Sequence, residues 1–298
     1  MRPAIVLIAY LWSLIASAAG PAADADRGWH GNYFPNVALR THEGKTVRFY
    51  DDVIRGKIVS INFIYTNCGA VCPLDTAQMR EVQKRLADRV GKDVFMYSIS
   101  IDPEHDTPAA LARYMHNFDV GPGWTFLTGR REDVTLIQQK LGIRPAEPGK
   151  LSEHDTRLII GNERTGTWVK RTPYDDPQIL AGLLVGAMTN YANASSGHSL
   201  PYDRATEISG VSRGSYLFRT RCVACHAIGG GDKLGPDLAG VLEKRDTNWL
   251  RRWLKEPDKM LAERDPVAIE LRARFRNLPM PNLALSDADV DALLGYLK

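Results

Sequence analysis

The chain has 298 residues, of which 44% are hydrophobic and 24% charged, the composition of an ordinary globular protein with length enough for two cores, and one that gives no sign of disorder. A formal net charge of +3 is too small to mark a nucleic-acid binder. What asymmetry there is lies from Ser209 onward, with 15 Lys/Arg against 12 Asp/Glu; a basic rim aids docking to an acidic redox partner, although so few charges also fit a plain mixed surface.

In chain order, Arg2, an uncharged apolar run from Ala4 to Ile15 and the small residues Ala16-Ser17-Ala18 predict a secretory signal at 1–18, cut after Ala18. The alternative is an uncleaved anchor, for which the apolar core is short. In both cases the remainder is expected outside the cytoplasm, in the periplasm. Val37 to Leu39 and Val47 to Tyr50 flank Glu43-Gly44-Lys45 and predict a hairpin. Residues 58 to 65 read as a buried strand, and Leu74, Met79, Val82, Leu86 and Val90 then recur at helical spacing. Val94 to Ile101 is a second buried strand, after which Thr107 and Pro108 look like the cap and first residue of a helix reaching about Phe118. Trp124 to Leu127 predicts a short strand, Glu132 to Leu141 a helix, Leu158 to Ile160 with Thr167 to Lys170 a second hairpin, and Pro177 to Tyr191 a last helix. That order is the one of a thioredoxin-like α/β domain, placed at 28–191. Residues 192–208 are small and polar and read as a linker of about 17 flexible residues, holding two domains at high effective concentration without a large fixed interface. From 209 to 298 the pattern is helical throughout, so an all-α domain is expected.

The four cysteines form two close pairs, which in an oxidising compartment suggests redox or cofactor chemistry rather than a disulfide scaffold. Cys68 and Cys72 sit where the first buried strand gives way to its helix. Their sulfurs are positioned either to grip one soft metal ion or to form a disulfide, and the helix N-terminus is expected to keep one of them partly thiolate. The second pair stands in Cys222-Val223-Ala224-Cys225-His226, the attachment motif of haem c, in which two thioethers hold the porphyrin and the adjoining His226 takes the iron.

Several motifs of the first domain resemble the SCO/SenC family of thioredoxin-like copper proteins, which take part in building the binuclear copper centre of cytochrome oxidase. They are Cys-x-x-x-Cys-Pro at 68–73, Asp-Pro-x-x-Asp-Thr-Pro at 102–108, Gly123-Trp124, Leu127-Thr128-Gly129 and His154. The resemblance implies copper ligation by Cys68, Cys72 and His154. Two thiolates suit Cu(I), and an added imidazole lets the same site take Cu(II). On its own, His154 between Glu153 and Asp155 reads as an exposed loop residue. His105 reads as a surface residue, and His30, His42, His116 and His198 as structural or exposed. The C-terminal domain resembles a small class I cytochrome c, on Gly214, Phe218, the haem motif, Gly235-Pro236-Asp237-Leu238 and a closing helix at Asp287 to Leu297. That family supplies a methionine as sixth ligand just before a proline, which implies Met280 and leaves Met260 as the rival, better read as packing.

The function implied is that of an exported copper-binding protein with a fused haem domain, delivering copper to, or maintaining the redox state of, a cytochrome oxidase subunit or another periplasmic redox protein. The alternatives are a periplasmic thiol-disulfide oxidoreductase working through Cys68 and Cys72, and a pure electron carrier. No nucleic acid is expected as partner, and a membrane only through the partner or an uncleaved signal.

Overall fold

The computed structural model describes residues 32–69, 72–147, 149–188 and 212–298. The expected signal at 1–18, the linker at 192–208, His30, His198 and the predicted helix end at Tyr191 lie outside the described residues.

The hairpin forms as β1 (Ala38–Thr41) and β2 (Thr46–Arg48), antiparallel with Leu39 opposite Val47. Gly44 takes the positive φ of 83° that its turn requires. β3 (Ile58–Ile64) and β4 (Val94–Ser100) pair in parallel over their whole length, from Ile58 against Val94 to Ile64 against Ser100. Both are buried on their two faces, which is why they read as continuous apolar runs rather than as alternations. β5 (Trp124–Gly129) lies parallel to β4 and antiparallel to β1. The hairpin of β6 (Leu158–Asn162) and β7 (Thr167–Arg171) joins antiparallel to β3. The sheet order is therefore β2-β1-β5-β4-β3-β6-β7, with the two strands that carry the motif loops at its centre.

Helices cover both faces of the sheet. α1 (Cys72–Leu86), α2 (Pro108–Asn117) and α4 (Pro177–Gly182) bury Ala77, Met79, Val82, Leu111 and Leu180 with Met96, Trp124 and Ile160 of one face. On the other, α3 (Arg131–Lys140) sets Val134 and Ile137 against Val59, Ile61, Phe63 and Ile99. Thr107 caps α2 as expected, its Oγ1 accepting from the Ala110 N–H at 3.2 Å with Pro108 in the first turn.

The C-terminal domain shows no strand among its described residues. α5 (Arg213–Leu217) runs into a π-helical turn at Phe218–Cys222, and α6 (Val241–Lys244), α7 (Thr247–Lys255), α8 (Pro257–Ala262), α9 (Pro266–Arg274) and α10 (Asp287–Tyr296) follow. Ser212, Asp246, Asp265 and Ser286 each cap a helix by accepting a backbone N–H from its first turn. α5 packs against α10 so closely at Gly214 that a Cβ there would lie 2.1 Å from the Ala292 carbonyl oxygen, so only glycine fits. Leu217, Phe218, Leu250, Val290, Leu293 and Leu294 form this domain's core. Among the described residues no helix is long and apolar enough to cross a membrane.

The two domains are packed together, where the sequence suggested partners on a tether. Ala224 and Leu234 belong to the same buried apolar cluster as α1 and α2, and Cys225 and Leu278 pack against it. Gln78 Nε2 donates to the Thr220 carbonyl at 2.9 Å, and Arg276 Nη1 to the His116 carbonyl at 3.3 Å. The Arg221 guanidinium lies 5.3 Å from the Tyr174 ring centre. The physical reason is that the apolar Ala224 and Leu234 leave water on entering the cluster of α1 and α2, and that burial favours contact.

Candidate functional site

The first site lies where the central parallel strands end, the usual position for a site in such a sheet. β3 ends at Ile64, the chain turns through Tyr65 to Cys68, and α1 opens with Cys72. The crossover after β4 ties this turn down. Asp106, from the motif at 102–108, accepts from the Thr66 N–H at 3.1 Å, the Thr66 hydroxyl at 2.5 Å and the Ser100 hydroxyl at 2.6 Å. Sequence reasoning singled out that motif without seeing that its carboxylate anchors the cysteine turn.

Cys72 is wholly buried and Cys68 is 5% exposed. The Cys72 N–H donates to Cys68 Sγ at 3.4 Å, and both residues stand as thiols. Burial, and then the Cys68 sulfur beside it, push the Cys72 thiol well above its ordinary pKa. At Cys72 the expected thiolate is thus corrected: loss of hydration outweighs the helix dipole, a surface-scale effect of about 0.3–1 kcal/mol.

His154 departs from its exposed reading as well. The short turn Leu151–Glu153 folds it inward, leaving it 6% exposed although both neighbours are acidic. Its Nδ1 lies 2.9 Å from the Leu151 carbonyl; a carbonyl only accepts, so Nδ1 carries the proton and Nε2 presents a lone pair. That Nε2 faces Cys72 Sγ at 4.0 Å. With bonds of about 2.3 Å to sulfur and about 2.0 Å to nitrogen, as for zinc, two ligands at a trigonal angle sit roughly 3.7 Å apart. The pair is close to ligating distance, although among the described residues no three His, Cys, Asp or Glu side chains yet form a complete ligand cluster. Tyr65 was missed by sequence reasoning. Its ring meets the His154 ring edge-on at 5.7 Å, and its hydroxyl is hydrogen-bonded to Cys68. With Asp102, Arg131, Leu151 and Ser152 it lines a shallow cleft beside the site.

One further group lies under α1. Asp75 is buried in the first turn, and burial pushes its pKa up to about 8 against a favourable hydrogen bond from Tyr174. Its Oδ1 has no hydrogen-bond partner among the described residues. An acid whose pKa is raised on folding favours the folded state fully below its unfolded value of about 4, and that advantage is lost as pH climbs to about 8. Asp75→Asn should flatten this dependence. In the reduced, copper-free chain the variant should gain at least about 3 °C in Tm at pH 8 and nothing at pH 4; equal gains at both pH values would show the charge of Asp75 to be irrelevant.

The second site is a cavity of about 370 Å³ walled by Cys222, Cys225, His226, Leu250, Trp253, Leu278 and Met280 among others. Burial pushes both thiols up to about 12 and lowers the His226 imidazole. His226 Nδ1 lies 2.9 Å from the Pro236 carbonyl, which fixes the proton there and turns Nε2 away as an acceptor. Gly235 explains part of the Gly-Pro-Asp-Leu stretch, since a Cβ on it would lie 2.6 Å from His226 Cε1. A mostly apolar cavity with two thiols, an oriented neutral imidazole and a thioether on its wall fits a covalently held haem. Met260 is 1% exposed and is absent from the cavity wall, whereas Met280 is on it. Of the other histidines, His105 is paired with Asp102 on the surface, and His42 Nδ1 accepts from the Phe126 N–H at 3.4 Å.

Comparison with known proteins divides the chain in the same way. The family described as SCO1/SenC matches residues 32–180, and that described as cytochrome c matches residues 211–298. The SCO1 protein homolog of Bacillus subtilis (strain 168) is 31% identical over 149 residues, 46% of this chain and 75% of that protein. The mitochondrial protein SCO1 homolog of Homo sapiens is 32% identical over 124 residues, 41% of this chain but only 39% of the human one. Among solved structures, ScoI of Bradyrhizobium japonicum with copper bound is 26% identical with a TM-score of 0.41, over 49% of this chain and 94% of that one.

Proposed function

The chain belongs to the SCO1/SenC family and carries a cytochrome c domain behind the family domain, and from that premise we propose that it is an exported copper-binding protein. In this reading Cys68, Cys72 and His154 hold one copper ion for the assembly or redox maintenance of the binuclear copper centre of a cytochrome oxidase. The observation that carries the reading is the lone pair of His154 Nε2 aimed at Cys72 Sγ, with Nδ1 tied to Leu151. The Leu151 bond satisfies the buried Nδ1–H and leaves Nε2 as the nitrogen that presents a lone pair toward the sulfur. Two sulfurs and one imidazole form a donor set that accepts both oxidation states of copper.

Cys222 and Cys225 hold the haem in this reading, with His226 and Met280 as iron ligands. When bound, that group supplies a one-electron couple, which matches the one-electron change between Cu(II) and Cu(I) better than the two electrons of a disulfide. His226 is held neutral and oriented by Pro236, so it is ready to ligate without losing a proton.

Metal analysis and visible spectra of the full chain, purified from the periplasm of copper-supplemented cells, test the assignment. About one copper and one covalent haem per chain are expected. In His154→Ala, Cu(I) should still bind through the two thiolates while Cu(II) affinity falls by at least about 100-fold, the upper end of what losing an outer-shell partner costs. Haem without copper in the wild-type chain would leave the thiol-disulfide oxidoreductase and electron-carrier readings standing.

A further inference from the structure

The cavity assigned to the haem is not closed by the cytochrome domain alone. Two of its wall residues, Pro73 and Phe118, come from the N-terminal domain, one from the first turn of α1 and the other from the end of α2. Pro73 is the residue bonded to Cys72. The motif residue Ala224, between the two haem-motif cysteines, is wholly buried, and the cluster that buries it is that of α1 and α2. Asp119, just past α2, is clasped by Arg80 of α1 and lies 3.5 Å from Arg276 of the C-terminal domain.

We propose that the N-terminal domain is a structural part of the haem crevice. The two domains dock in one orientation through Ala224, Leu234, Gln78 and Arg276, and Pro73 and Phe118 serve as the outer wall that keeps water from the haem. Cys72 and Pro73 are then one peptide unit with a face on each site. This rests on the haem assignment made above, but the docking stands on contacts that do not involve the haem. Pro73 and Phe118 are positioning residues: they ligate nothing and act through the dielectric around the haem. Excluding water disfavours the extra positive charge of the ferric state, so docking raises the haem potential relative to an open crevice.

Apolar burial supplies most of the docking energy, because the Arg276–Asp119 pair is half exposed and exposed pairs contribute about 0.2–1 kcal/mol. An arginine at position 224 would have to enter that apolar contact with its charge. Position 224 contributes neither thioether nor iron ligand, and covalent attachment and ligation are read in the same sample, so a loss of either is separated from a loss of docking.

The test uses the full chain with haem attached. Hydrogen exchange is followed at residues 112–120 and 223–235, and the haem potential by redox titration. In Ala224→Arg, exchange should accelerate on both faces and the potential should shift downward, while the haem stays covalent with its methionine and histidine ligation. Arg276→Glu, which sets a second carboxylate against Asp119, should move both readouts in the same directions by less, and Arg276→Lys should restore wild-type exchange. Wild-type exchange in Ala224→Arg would overturn the docking. Accelerated exchange with an unchanged potential would overturn the wall role of Pro73 and Phe118. Should the wild-type chain prove to carry no haem, the exchange measurement still decides the docking, so the two assignments fail separately.

Discussion

Replacing both Cys68 and Cys72 by serine should take the copper content of the purified chain from about one per chain to none, while the haem remains attached. The argument rests on softness and on burial together. A hydroxyl is a hard donor that does not deprotonate at neutral pH, so after the exchange His154 would be the one remaining soft-metal ligand. The pocket that buries Cys72 completely also excludes water as a substitute ligand. Either single variant should lose most of the affinity, since a one-sulfur site with His154 retains only two of the three donors. The substitutions are nearly isosteric, and the cost of a buried hydroxyl, about 1–3 kcal/mol if unpaired, is at each position less than a domain's stability of about 5–15 kcal/mol. Far-ultraviolet circular dichroism should therefore remain that of the wild type. Full copper stoichiometry in the double variant would remove copper from these residues altogether.

The frame of this site was legible because local chemistry dictates it. Two β-branched runs buried on both faces leave no reading but central strands, and Thr107-Pro108 starts a helix wherever it stands before an apolar repeat. The cysteine turn, the haem motif and the closing helix were legible for the same reason. His154 was not, except through its resemblance to a family. Its flanking carboxylates describe a solvated loop, and only the turn at Leu151–Glu153, fixed by the strand that follows, folds the ring inward. The thiolate expectation failed at Cys72 because a helix dipole is visible in sequence and burial is not: nothing in Cys72-Pro73-Leu74 announces complete exclusion of water. Tyr65 and Asp106 were missed because their partners lie 89 and 40 positions away in the chain. The packing of one domain on the other was least legible of all. Leu234, Gln78 and Arg276 belong to no motif, Ala224 is only a spacer of the haem motif, and a contact between surfaces belonging to two separately patterned segments leaves no local trace.

Met280 and Met260 should behave as opposites when each is replaced by alanine. Met280 stands on the wall of the cavity that His226 and the two motif cysteines share, immediately before Pro281 and ahead of α10. Losing its thioether removes the expected sixth ligand without touching the thioether bonds at Cys222 and Cys225. The iron should become high-spin or take a foreign ligand, the haem should stay with the polypeptide after denaturation, and the potential should fall, because a thioether favours the reduced iron. Stability should change modestly, since Met280 is only half-buried. Met260 is 1% exposed in α8 and off the cavity wall, so Met260→Ala should leave the low-spin spectrum intact. It should cost about 2–5 kcal/mol of folding free energy through the void it creates. Denaturant unfolding alongside reduced and oxidised spectra separates the two effects. A normal methionine signature in Met280→Ala, together with its loss in Met260→Ala, would exchange the assignments. It would also require α8 to leave its packed position to bring sulfur to the iron, which hydrogen exchange at 257–262 would register as lost protection.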